Sequence, residues 1–245
     1  MWRLPEIDPV NRLQWANEVP GNLCVQEYYG YESESCLQIG DFHFLWETQR
    51  VLLQYFWGNP TAVDSLSNLR QRIERFRVDK KGKVFSAGDE FIVHTLHGHL
   101  AASICTELKL GSMDDAINEH VSLEWLRSKA TSVIEASIMP TESLDPAYSM
   151  HRCFMHGAFQ YVDLRDAIRY EDGPNIIRSW KHWLLYFLGA GRKNYTLEAV
   201  SMLSKLKSDF PPHIAYIVTH NRCANMSGKE GKAKPLDQLI EHYNL

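Results

Sequence analysis

The chain has 245 residues, 44% of them hydrophobic and 23% charged, with 26 Lys/Arg against 30 Asp/Glu for a formal net charge of −4. That length suffices for one large or two small soluble domains, and the acidic balance argues against a dedicated nucleic-acid binder, which is basic over its binding domain. The five cysteines (Cys24, Cys36, Cys105, Cys153 and Cys223) are odd in number and scattered, with no CxxC pair, so free thiols in a reducing intracellular compartment, nuclear or cytoplasmic, are expected.

Residues 1–34 read as an irregular segment, with prolines at 5, 9 and 20 and a polar "YYGYESES". "MWRLPEIDPV" lacks the basic-then-apolar pattern of a secretory leader. "CLQI" at 36–39 is a short strand candidate closed by Gly40. From Phe42 the period changes: Phe42, Leu45, Trp46, Leu52, Leu53 and Phe56 favour one helical face until "WGNP".

A second helix is expected over "TAVDSLSNLRQRIERFR", with Val63, Leu66, Leu69, Ile73 and Phe76 as its stripe and Thr61 or Asp64 as its cap. Ser86 with Asp89, and Ser112 with Asp115, look like start signals for two more helices. "LDPAYSMHRCFMHGAFQYVDLRDAIRYEDG" continues the helical pattern, with a break placed at Gly157. "PNIIRSWKHWLLYFLG" has proline in its first turn and glycine at its end, and its apolar run is too short to span a bilayer. "NYTLEAVSMLSKLKSDF" stops at Pro211-Pro212, and "PLDQLIEHYNL" closes the chain as a last helix. The expected fold is mainly α, a single multi-helix domain over residues 35–245 with at most one short strand near residues 36–40.

Asp41 stands where a strand turns into a helix. A carboxylate there either lies at a sheet edge, where α/β folds build sites, or caps the helix by accepting a backbone N–H. "HTLHGH" (94–99) sets His94 and His97 one turn apart, and Cys153 and His156 are spaced CxxH; without further ligands at metal spacing, both read as ordinary helix residues. "GAGRKNY" lacks the phosphate-loop spacing, although Arg192 and Lys193 are placed to touch an anion. Residues 70–83 carry seven Lys/Arg against two acidic residues. That stretch, with Arg70, Arg72, Lys80 and Lys81, is either a solvated face or a contact for a phosphate backbone. Asp237 and Glu241 share one face of the last helix and repel weakly unless a cation or base stands nearby.

Several of these segments, "GDFHFLWETQRVLLQYFWGNP", "VDKKGKVFSAGDEFIVHTLHGHLAASI", "FLGAGRKNYTLEAV" and "NRCANMSGKEGKAKPLDQLIEHYN", together resemble the fungal family catalogued as domain of unknown function 6589. The resemblance implies a transposon-derived protein whose acids follow the order of an RNase H-like transposase interrupted by a helical insertion. On that reading Asp41 matches the second carboxylate and Glu241 the third, with Glu198 as another candidate for the third. His43 and His242 adjoin the set, and magnesium held by Asp41 and Glu241 is the implied cofactor. The family's upstream aspartate strand has no counterpart here, since Asp8 precedes a proline. Two-metal chemistry needs acids on both ions. The expectation is therefore a truncated or domesticated relative without catalysis of its own, touching DNA through its basic patches. The alternative is a non-catalytic helical protein-interaction domain, and no membrane association is expected.

Overall fold

The computed structural model describes residues 40–115, 121–138 and 145–243, all within the compact unit Ile39–Leu245. The strand expected at 36–39 lies outside the described residues. Nine α-helices are described: α1 (Asp41–Phe56), α2 (Leu66–Arg72), α3 (Phe85–Leu108), α4 (Leu123–Ile138), α5 (Pro146–Arg169), α6 (Gly173–Gly189), α7 (Lys193–Ser204), α8 (Pro212–His220) and α9 (Leu236–Tyr243). The mainly α expectation holds. A two-stranded antiparallel ribbon, β1 (Cys223–Ala224) with β2 (Lys234–Pro235), pairs Cys223 with Pro235 and Ala224 with Lys234. Neither strand is legible in the sequence, because two-residue strands carry no period.

Helix α1 is the hub. Phe44, Leu45, Val51, Leu52, Leu53 and Phe56 are buried, and α3, α5, α6 and α9 all pack around it. Burial on several sides explains why its apolar residues overrun a single stripe. Phe44 stacks flat on Trp180 of α6, centroids 4.5 Å apart, and meets Phe187 edge-on at 5.0 Å. Trp180, Trp183, Tyr161 and Phe187 are wholly buried, each a hydrophobic contribution on the order of 2–3 kcal/mol. Gly157 does not break α5. It lets α5 approach α1, since a Cβ there would press on Leu52 at 2.7 Å.

Three boundaries differ from the sequence reading. Helix α2 is shorter than expected: Ser65 caps it by accepting from the Asn68 N–H, and Glu74 at φ 56° ends the chain's helical course, leaving Val63 and Phe76 exposed. Helix α3 starts at Phe85 with no side-chain cap, so Ser86 lies inside it. The Ser112–Asp115 signal forms a separate turn, in which Asp115 accepts from the Gly111 and Ser112 N–H groups, ahead of α4 at Leu123. Helix α7 runs through a wide turn (Lys205–Asp209) before α8, which Pro212 opens. No described helix is long and apolar enough to cross a membrane.

Candidate functional site

Helix α1 begins without a cap of its own. Gly40 occupies the capping position in an extended conformation and has no side chain to offer. The cap arrives from α9: the Asp237 carboxylate accepts from the N–H groups of Phe42 and His43, each at 3.2 Å. A Cβ at residue 40 would overlap the Asp237 side chain, so glycine there is the condition for this approach. An anion at a helix N-terminus is favoured by the unpaired N–H groups and the helix dipole. His43 completes the junction, with Nδ1 3.0 Å from Asp237 and Nε2 3.1 Å from Glu241. It is the base that the Asp237/Glu241 spacing calls for.

Asp41 points the other way, into the core, at 4% exposure. Arg222 holds it with two bonds: Nε donates to Oδ2 at 2.7 Å and Nη2 to Oδ1 at 3.0 Å. The indole N–H of Trp180 donates to Oδ1 at 3.2 Å, and the Arg222 guanidinium lies over the Trp180 ring at 4.7 Å. Burial pushes the Asp41 carboxyl up; the guanidinium of Arg222 acts against that, and Asp237 adds a smaller upward push. The same setting acts on the neighbouring thiol. Burial, then the charge of Asp41, pushes Cys223 up to about 12. Arg222 is itself anchored, since its carbonyl accepts from the Leu236 N–H where β2 enters α9.

Asp41 is thus not the cap of α1, and its oxygens are nowhere on the N–H groups of its own first turn. Asp41 and Glu241 part at that first turn: Asp41 is sealed inside on Arg222 and Trp180, while Glu241 is half exposed on His43. This arrangement does not fit a magnesium ion shared by the two acids. Both Asp41 oxygens already take hydrogen bonds from Arg222 and Trp180. Among the described residues no group of three or more His, Cys, Asp or Glu side chains is placed to hold a metal.

The remaining candidates are dispersed. Glu198 is exposed on α7, and His242 is exposed with its ring against Tyr243. Arg192 is engaged by the buried Glu47 at 2.6 Å and by Gln54 at 2.7 Å; Lys193 is exposed. Arg70 folds over the Phe76 ring at 5.5 Å and donates to the Phe76 carbonyl, whereas Arg72, Lys80 and Lys81 are exposed. His94 and His97 lie on the outer face of α3. His156 is bonded to the Tyr186 hydroxyl at 2.9 Å, and Cys153 is exposed.

Arg222 and Trp180 escape sequence reasoning. Arg222 is one basic residue in a polar loop, Trp180 one aromatic in an apolar helix, and both partners of Asp41 lie far along the chain.

Residues 22–245 match the model of a family of unknown function, DUF6589, and the chain belongs to that family. No curated protein and no solved structure matches it.

Proposed function

We propose that this member of the DUF6589 family is a non-catalytic helical domain of transposase ancestry, which acts by binding and not by cutting. The ancestry rests on the order of the "GDFH" and "EHYN" motifs. The absence of catalysis rests on one observation: the guanidinium of Arg222 takes both oxygens of Asp41 inside the core. A carboxylate so held serves the scaffold, since any metal reaching it must first displace a buried cation. Glu241 and Asp237 serve the same end by tying α9 to α1 through His43. DNA is the partner to test first, through the exposed Arg72, Lys80, Lys81 and Lys193, contacts that would weaken steeply with salt.

The test is incubation of the purified chain with duplex and single-stranded DNA over a magnesium and manganese series, alongside thermal melts. We expect no metal-dependent cleavage and no rise in melting temperature. Cleavage that needs magnesium, and that a folded Glu241→Gln variant loses, would overturn the reading.

A further inference from the structure

A second feature adjoins the Asp41 junction, sharing Phe42 with it, and uses none of the carboxylates of that junction. A cavity of about 230 Å³ opens where α1, the start of α3, the end of α5 and β2 converge. Its apolar wall includes Phe42 and Phe85, packed edge-to-face at 5.1 Å. Its polar wall carries Arg165, Arg169, Lys232 and Lys234 against a single carboxylate, Asp89. That carboxylate is already matched, by Arg165 at 2.9 Å and the Tyr161 hydroxyl at 2.8 Å. Arg169, Lys232 and Lys234 are left as surplus positive charge in a chain whose total is −4.

The surplus is built into the fold. The loop before β2 is tied to the end of α5 by the Ala233 N–H donating to the Arg169 carbonyl at 3.2 Å. Gly231 makes the turn possible at φ 66°, a conformation that a residue with a Cβ adopts at a cost. Concentrating like charges in a cleft is unfavourable in the free protein and raises the local concentration of anions. Gln238 also lines the cavity, and its amide offers a donor and an acceptor side by side.

We infer that this cavity binds a pyrimidine nucleoside monophosphate, the phosphate held by Arg169, Lys232 and Lys234 and the ring placed against Phe42 and Phe85. Size sets the ring. The cavity is smaller than the roughly 300–1,000 Å³ of pockets that enclose drug-sized ligands, and a single ring leaves less of the ligand outside it than two fused rings would. The Gln238 amide favours a nucleobase over a phenyl group, because a base edge has donors and acceptors to satisfy. The terminal nucleotide of a single strand presents the same chemistry as the free compound.

Calorimetric titration of the full chain tests this with CMP, cytidine, inorganic phosphate, AMP and a short pyrimidine oligonucleotide with and without a 5′-phosphate. CMP is expected to bind about tenfold or more tightly than cytidine, phosphate or AMP, a spread of one decade in the dissociation constant. Preference for the 5′-phosphorylated strand over CMP supports the site and assigns its source to a strand end; equal affinity supports it and assigns the free nucleotide. Lys232→Gln with Lys234→Gln changes two exposed side chains, so the fold should persist while CMP affinity falls about tenfold. No heat with CMP, phosphate binding as tightly as CMP, or an unaffected folded double variant would each overturn the assignment. DNA cleavage, which bears on the proposed function, is not a readout of this experiment.

Discussion

Arg222 and Asp41, 181 residues apart in sequence, form a bidentate ion pair inside the core, with the face of Trp180 as its floor. A buried pair of this kind costs much of its own attraction in lost hydration, so its net worth is small, but the loss of one partner is expensive. Asp41→Asn strands a buried guanidinium, and Arg222→Met strands a buried carboxyl. Each single change is expected to lower unfolding free energy by about 3–5 kcal/mol. The double variant should lose much less than the sum of the two. Urea unfolding of all four proteins checks this, and additive losses would show that the pair does not act as a unit.

The first turn of α1 gives a second coupled pair. Asp237→Ala removes the cap and should cost about 1 kcal/mol, the usual value of a helix N-cap. Gly40→Ala pushes a methyl into the space of the Asp237 side chain and should cost at least as much. Once Asp237 is alanine the added methyl has less to strike, so combining the two should cost less than the separate losses together. Thermal melts of the three variants decide it, and a fully additive result would separate Gly40 from the cap.

Thiol chemistry should rank the cysteines. With Cys223 pushed up to about 12 by burial and the charge of Asp41, only about one part in ten thousand is thiolate at pH 8. Cys153 is exposed. Timed iodoacetamide labelling read by mass spectrometry is expected to find Cys153 modified early and Cys223 only on denaturation. Early labelling of Cys223 in the folded chain would contradict the buried junction.

His99 sets an acid limit. Its ring lies 4.6 Å from that of His151 and is partly buried, and burial first, His151 second, lowers its titration to about 4 from an ordinary 6.5. The unfolded chain therefore takes up this proton first. The contribution of His99 to stability is whole above about pH 6.5 and is lost as the pH falls toward 4. Melting temperatures measured from pH 7.5 to 4 should fall, and less steeply in His99→Gln. Parallel slopes would remove His99 as the cause.

The parts of this fold that follow from neighbours in sequence were legible. Helix α6 announces itself through Pro174 and Gly189, and Leu45, Leu52 and Phe56 announce the buried faces of α1. Limits set by a single backbone conformation were not: nothing in "RQRIERFR" marks Glu74 as the left-handed residue that ends α2. The site was half legible. The spacing of Asp237 and Glu241 demands a base, but which base is a tertiary matter, and His43 answers from almost 200 positions earlier. Asp41 was legible as an unusual residue at a helix start. Its partner was hidden because loop-spanning ion pairs leave no local pattern.

The Asp41–Arg222 span also has a consequence during synthesis. A ribosome adding about 5–20 residues per second needs about ten to forty seconds to travel from codon 41 to codon 222. Throughout that interval the hub helix can exist, but the cation that neutralises its innermost carboxylate has not been made. The nascent chain must keep Asp41 wet or protonated, and the Phe44–Trp180 face of the core cannot close over it. Final compaction is thus deferred until Arg222 emerges, and until then the apolar face of α1 is a surface that chaperones can hold.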